Sequence, residues 1–76
     1  MKLVQFDAGS GPRAGLVRKT FVVDLHQANG FIPKDIEAVV KDPIALEKAR
    51  ALEVSCPDRS VMRRVSEIRV LREIEA

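Results

Sequence analysis

The first 25 residues contain three short segments whose side-chain patterns are typical of β-strands. The first covers residues 2–7, where successive side chains point to opposite faces, with Leu3 and Gln5 on one face and Val4 and Phe6 on the other. Residues 13–18 are predicted to be a second strand, and residues 20–25 are predicted to be a third that is rich in β-branched and aromatic side chains. A Gly-Ser-Gly-Pro turn at residues 9–12 separates the first two, and the dipeptide at residues 18–19 is predicted to be a tight turn. These segments predict a small antiparallel sheet.

Two helices are predicted in the middle of the chain, after the turn signal Asn29-Gly30. The first is predicted near residues 33–41, because a proline at the first helical position loses no hydrogen bond. The second is predicted near residues 43–53, where Asp42 is a suitable N-cap and a proline again follows it. The apolar residues expected to face the core in this second helix are Ala45, Leu46, Ala49 and Leu52.

The C-terminal segment fits two structures. Apolar residues recur there at spacings of three and four, which slightly favours a helix; they are Val61, Val65, Ile68, Leu71 and Ile74. Residues 68–73 also alternate, less cleanly, as a strand would. The apolar stripe is short for a coiled coil, so packing on the chain's own sheet is the simpler interpretation, and docking to a partner helix is the alternative.

The size of the chain limits both its architecture and its sources of stability. A sequence of 76 residues is predicted to be one small α+β domain, residues 1–76, with a sheet of three to four short strands packed against one or two helices. Its one cysteine, Cys56, excludes a disulfide within the chain, and with the one histidine, His26, it cannot supply four zinc ligands. A core this small is expected to gain support from a second domain or a protein partner. The lone cysteine also favours a reducing compartment, so we expect a cytoplasmic protein.

Charge and hydropathy argue against two classes of partner. The formal net charge is +2 with the two signs interspersed, and no apolar run approaches the ~20 residues of a membrane span. Asp7 comes too early for a signal peptide. The densest positive cluster has no nearby stacking aromatics and is diluted by glutamates, so we expect no nucleic-acid partner and no membrane partner. The cluster consists of Arg59, Arg63, Arg64, Arg69 and Arg72.

The residues that bear reactive groups do not form a recognisable catalytic set. The glycines of residues 9–11 lack the Gly-Lys-Ser/Thr sequence of a phosphate loop, so a hairpin turn is the better interpretation. Cys56 lacks a Cys-x-x-Cys partner or a flanking base that would activate its thiol, so a structural or incidental thiol is expected.

One interpretation of Asp24 and His26, on one side of an extended chain, is a divalent-cation site, with Asp7 nearby if the first and third strands are neighbours. The simpler interpretation is a surface histidine at a strand end and an aspartate that binds backbone groups at a turn. The sequence therefore assigns no catalytic, cofactor-binding or metal-binding residue.

Several segments together resemble the small N-terminal domain of the fumarylacetoacetate hydrolase family. Residues 1–6, Met-Lys-Leu-Val-Gln-Phe, resemble the family's opening strand, and residues 13–17, Arg-Ala-Gly-Leu-Val, resemble its second strand. The Val-Val-Asp-Leu sequence at residues 22–25 resembles the end of the hairpin, and the Ala- and Leu-rich residues 43–52 resemble the helix that follows. Residues 65–71, Val-Ser-Glu-Ile-Arg-Val-Leu, resemble the strand that leads out of the domain. This last likeness implies a strand over residues 67–73.

The resemblance also implies a role. In relatives, a separate catalytic domain with a His-x-x-Glu motif and metal-binding carboxylates holds Mg²⁺ or Mn²⁺ and cleaves, decarboxylates or isomerises 2-oxo or 2,4-dioxo acids. This chain contains no such motif, and no cofactor is predicted for it. The leading hypothesis is a non-catalytic N-terminal accessory domain whose partner is a catalytic domain in the same parent chain.

Two other hypotheses remain. The alternative is a free-standing protein-interaction or dimerisation module, which includes a possible homodimer. A nucleic-acid adaptor that uses the C-terminal arginines is the weakest of the three.

Overall fold

The computed structural model describes residues 1–55 and 57–76, and in them an antiparallel sheet carries the helices on one of its faces. This arrangement confirms the predicted α+β class. The strands are β1 (Lys2–Asp7), β2 (Pro12–Arg18), β3 (Phe21–Asp24), β4 (Met62–Arg64) and β5 (Arg69–Glu75). The helices are α1 (Leu25–Ala28), α2 (Ile36–Lys41) and α3 (Pro43–Val54), and 3₁₀ turns lie at Arg59–Val61 and Val65–Glu67.

The strand order is β4-β3-β2-β1-β5, and all neighbours are antiparallel. Strands β1 to β3 form a simple meander, because each is joined to the next by a short turn. The segment that contains the helices leads to β4 at one edge of the sheet, and β5 then returns to the other edge beside β1. A register shift between Gln5 and Phe6 leaves Leu71 as an extra residue in β5, so this edge strand contains a bulge.

The main core lies between the sheet and the helices. Leu3, Leu16 and Val23 project from the sheet, and helix residues such as Ile36 and Ala49 pack against them with no more than 1% of their surface exposed. This core is aliphatic, as the shortage of aromatic residues requires.

A smaller core lies on the opposite face of the sheet. Val4, Phe6 and Val22 are fully buried there, and Val17 and Ile68 pack against them. Gly15 lies beneath Phe6 and Val22, and a methyl group on it would lie 2.9 Å from two ring carbons of Phe6. The absence of a side chain at this position is therefore what lets Phe6 and Val22 pack closely over the backbone of β2.

Helix α3 begins where local signals predict it. The Asp42 carboxylate accepts a hydrogen bond from the Ile44 N–H at 2.9 Å, and Pro43 occupies the first turn. The helix was predicted near residues 43–53, and it ends at Val54.

The preceding helix begins later than predicted. It was expected from residue 33, but α2 starts at Ile36 and Asp35 is still extended. The reason is a tertiary hydrogen bond, because Ala14 N–H in β2 donates to the Lys34 carbonyl oxygen at 2.8 Å. This bond and the buried Ile32 hold the segment against the sheet, so Pro33 does not open the helix.

The third predicted strand, residues 20–25, is also corrected at its end. The chain becomes helical at Leu25, because the Asp24 carboxylate accepts a hydrogen bond from Gln27 N–H at 3.3 Å and so caps α1.

The C-terminal segment is extended rather than helical, so the slight preference of the periodicity was wrong. The strand expected over residues 67–73 lies at Arg69–Glu75, two residues further on. The short strand β4 was not predicted, and with it the described residues contain five strands instead of three to four.

Candidate functional site

Asp24 is the most buried polar residue that the structure describes, with 2% of its surface exposed. It ends β3, where the neighbouring strand β2 brings Arg13 alongside. Nε of Arg13 donates to Oδ2 at 2.6 Å and Nη2 donates to Oδ1 at 3.1 Å, while Gln27 N–H also donates to Oδ1. Both carboxylate oxygens are therefore bound by donors of the domain itself, which gives Asp24 a structural role.

The possible cation ligands of the sequence do not meet. His26 lies on α1 rather than on an extended chain, and its Nδ1 is 2.9 Å from the Ile32 carbonyl oxygen, to which it donates. Asp7 lies on β1, which β2 separates from β3, and its carboxylate accepts from Gly9 N–H at 2.7 Å and Gly11 N–H at 3.3 Å. In residues 1–55 and 57–76, no three His, Cys, Asp or Glu side chains form a cluster that would hold a metal ion.

The glycine loop at residues 9–11 turns β1 into β2, and no helix follows it. Gly9 and Gly11 have φ angles of 108° and 99°, a backbone region that favours glycine, so the loop serves the turn. Cys56, which was predicted to be a structural or incidental thiol, lies outside the described residues.

The C-terminal arginines do not form one positive stripe. Arg72 makes an ion pair with Glu37 of α2, and Nε of Arg64 lies 3.8 Å from Glu67. The guanidinium carbon of Arg59 lies 5.9 Å from the centroid of the Phe21 ring. The apolar residues of the same segment are likewise divided, because Val61 packs in the core beneath the helices and Ile68 packs on the opposite face.

Two open grooves flank the turn between β2 and β3, and we call them together the hairpin-end surface. The first groove has a volume of about 700 Å³ and is lined by Lys19, Thr20, Phe21, Arg64, Val65 and Ser66. The second has a volume of about 500 Å³ and is lined by Val17, Arg18, Lys19, Thr20, Phe21, Glu53, Pro57, Arg59 and Met62. Phe21 is shared by both, so an aromatic ring lies at the centre of a surface with a cationic rim.

A second surface lies on the outer side of the helices, and we call it the α3 patch. Its members are the exposed apolar residues Phe31, Ile44, Ala51 and Val54. Ile44 and Val54 are 65% and 84% exposed, and with Ala51 they share the solvent side of α3. Phe31 is 85% exposed, and Nζ of Lys48 on α3 lies 5.5 Å from the centre of its ring.

Phe31 is held in place although it is exposed. Its N–H donates to Oδ1 of Asn29 at 3.0 Å, and the next residue, Ile32, is fully buried and donates its N–H to the Asn29 carbonyl oxygen. The turn at Asn29-Gly30 is predicted from the sequence, but no local pattern indicates that the aromatic ring after it faces solvent. No local sequence pattern predicts that Phe31 is exposed and Ile32 is buried, because Ile32 is buried by elements that are distant in the sequence.

No protein-family model matches the chain, and no curated protein or solved structure matches it either. No helix in the described part of the chain is long and apolar enough to cross a membrane. The α3 patch and the hairpin-end surface are therefore the features from which a function can be inferred.

Proposed function

We propose that this chain is a non-catalytic accessory domain that packs against a catalytic domain of the same parent protein, in the cytoplasm. The observation that carries the proposal is the α3 patch. Phe31, Ile44 and Val54 are large apolar side chains with 65–85% of their surface exposed. Ile44 and Val54 lie on the capped helix α3, and Phe31 lies in a loop that is held by hydrogen bonds. Rigidly held apolar and aromatic side chains are what a protein interface uses as anchors.

The resemblance to the N-terminal domain of the fumarylacetoacetate hydrolase family supports the identity of the partner. In that family the chemistry belongs to a separate domain, where a bound Mg²⁺ or Mn²⁺ polarises the carbonyl of a 2-oxo or 2,4-dioxo acid. The accessory domain contributes a packing surface rather than reactive groups. The role of Asp24 fits this proposal, because its carboxylate is bound by Arg13 and by the α1 backbone.

The first test is to sequence the gene past the codon for Ala76. A reading frame that continues into a domain with a His-x-x-Glu motif and clustered acids supports the proposed parent. A continuation without these features contradicts it. In addition, the 76-residue chain is assayed with acetylpyruvate and Mg²⁺, and metal-dependent cleavage above background would show that the domain is itself catalytic.

The packing surface is tested in the longer protein. We expect Ile44→Ser combined with Val54→Ser to lower the melting temperature of the two-domain protein while leaving that of the isolated domain nearly unchanged, since both side chains are exposed. The control is Lys34→Ser combined with Lys41→Ser, which changes two exposed residues that are not members of the α3 patch. Equal effects of the two double variants would contradict docking through this patch.

Homodimerisation is the second candidate function, and the order of residues on α3 favours it. Two copies of α3 packed antiparallel place Ile44 opposite Val54 of the second copy, and the small Ala51 allows close approach near the two-fold axis. This candidate requires a melting temperature that falls on dilution and a dimer in sedimentation experiments; a monomer at all concentrations excludes it.

A further inference from the structure

We propose that the hairpin-end surface binds an acidic polypeptide segment in which carboxylates alternate with apolar side chains. The juxtaposition that carries this proposal is the cationic rim of Lys19, Arg59 and Arg64 around the Phe21 ring. The proposal is independent of the accessory-domain function, because that function uses the α3 patch.

The charge of the molecule is concentrated at this surface. Four of its 13 cationic residues line the two grooves, against one of its 11 carboxylates, so the surface has a local charge of +3. The remaining nine cationic residues and ten carboxylates give the rest of the chain a charge of −1. The four lining cations are Arg18, Lys19, Arg59 and Arg64. A local field of this sign attracts an acidic partner even though the overall charge is small.

The lining of the grooves fits a peptide with apolar as well as acidic side chains. No carboxylate lines the first groove itself, and the nearest acidic partner of its cations is Glu67, which lies 3.8 Å from Nε of Arg64 and is itself exposed. The hydroxyls of Thr20 and Ser66 add hydrogen-bonding groups to the two cations of this groove. Apolar contacts are available from Phe21 and Val65 in this groove. The second groove adds Val17, Pro57 and Met62.

The surface is also preorganised. Val65 N–H donates to the Thr20 carbonyl oxygen at 3.0 Å, so the segment after β4 is tied to the hairpin turn. A guanidinium nitrogen of Arg18 donates to the Ser55 carbonyl oxygen beyond the end of α3. Arg59 lies over the Phe21 ring, which fixes its charge beside the groove. A ligand therefore meets groups that are already held in position, and this lowers the entropic cost of binding.

A polypeptide suits this surface better than a nucleic acid. Proteins that bind DNA through its backbone typically neutralise about six to ten phosphates, and four cations around one turn cover fewer. Single strands are bound by several stacked aromatic rings, whereas the grooves contain one, Phe21.

Strand β4 pairs only with β3 among the described residues, so its outer edge can accept an extended peptide by strand addition.

The test is an NMR titration at low salt, in which the synthetic peptide acetyl-Asp-Leu-Glu-Val-Asp-Leu-Glu-amide is added to the 76-residue chain. We expect saturable shifts of the Thr20, Phe21 and Val65 amides. Lys19→Glu combined with Arg64→Glu should weaken binding about tenfold or more. The matched control, Lys34→Glu combined with Lys41→Glu, changes the net charge equally at exposed positions outside the grooves and should weaken binding by less than about twofold. Arg64→Gln is a milder second variant if the double reversal disturbs the hairpin.

Three outcomes would overturn the proposal. The first is the absence of saturable shifts with the acidic peptide. The second is an equal loss of affinity in the groove and control variants, which would indicate attraction by net charge alone. The third is tighter binding of a single-stranded oligothymidylate at the same residues and the same salt concentration, which would assign the surface to nucleic acid. Ile44→Ser with Val54→Ser should leave peptide binding unchanged, so this result is separable from the test of the α3 patch.

Discussion

Arg13 binds both carboxylate oxygens of Asp24, at 2.6 Å and 3.1 Å, across the pairing of β2 with β3. The same carboxylate caps α1 through the Gln27 N–H, so one buried side chain connects two strands and the helix that follows them. Bidentate pairs of this kind are stronger and more specific in geometry than single hydrogen bonds.

Removal of the arginine should be costly for this reason. We expect Arg13→Ala to lower the free energy of unfolding by about 3 kcal/mol, because it leaves a buried carboxylate without its cation. Denaturant unfolding measures the loss. Arg63→Ala, which removes an exposed arginine, is the control and should change stability by less than about 0.5 kcal/mol. Similar small effects of both variants would mean that solvent replaces Arg13 as the partner of Asp24.

Gly15 should resist even the smallest side chain. Its backbone φ is ordinary, but a Cβ would overlap Val22 and lie 2.9 Å from the Phe6 ring. We therefore expect Gly15→Ala to destabilise the domain by about 1–3 kcal/mol through overpacking. Thermal and denaturant unfolding measure this effect.

Gly30→Ala is the matched control for that substitution. Gly30 also lacks a positive φ, and no atom lies within 4 Å of the position that its Cβ would occupy. Its substitution should be close to neutral. If Gly15→Ala were as well tolerated as Gly30→Ala, Phe6 would have to move freely, contrary to its complete burial.

The parts of the fold that follow from local chemistry were predictable from the sequence. Asp42 and Pro43 determine the start of α3 because capping involves only neighbouring residues. The turn between β1 and β2 follows in the same way from its glycines. The start of α2 was misplaced because a hydrogen bond from Ala14 to Lys34 acts over a separation of 20 residues, which no local pattern contains.

The candidate surfaces depended even more on distant contacts. The hairpin-end surface combines residues 17–21 with Glu53 and with residues 57–66, which are brought together by the pairing of β3 with β4 and by tertiary hydrogen bonds. In the sequence, Arg64 is one member of a diffuse cluster, and its place beside Phe21 and Lys19 cannot be deduced from spacing. The exposure of Phe31 was hidden for a similar reason, since an isolated aromatic residue normally predicts burial.

Phe31 and Ile32 are neighbours with opposite environments, and they should respond oppositely to truncation. Ile32 is fully buried in the main core, so Ile32→Ala should cost about 2–5 kcal/mol. Phe31 is 85% exposed, so Phe31→Ala should change stability by less than about 0.5 kcal/mol. Denaturant unfolding of the two variants side by side gives the comparison, and a large loss for Phe31→Ala would show that its ring packs on the domain instead of facing a partner.

Lys19 is the one non-glycine residue with positive φ in the described part of the chain, at 56°. A left-handed backbone costs an L-residue about 1–2 kcal/mol, and glycine avoids this cost while losing about 0.5–1 kcal/mol through its greater freedom in the unfolded chain. Lys19→Gly should therefore stabilise the domain by about 0.5–1 kcal/mol. The neighbouring Thr20→Gly has no such strain to relieve and should destabilise it.

Lys19 combines a backbone with positive φ and a cationic side chain in the hairpin-end surface, so its substitution can be measured by peptide binding as well as by stability. The substitution also removes a cation from the hairpin-end surface, so Lys19→Gly should raise the melting temperature while it weakens binding of the acidic peptide. A structural disturbance of the hairpin would lower both. If Lys19→Gly and Thr20→Gly lower the melting temperature equally, the backbone at Lys19 is not strained. A lysine at this turn would then cost the domain no stability.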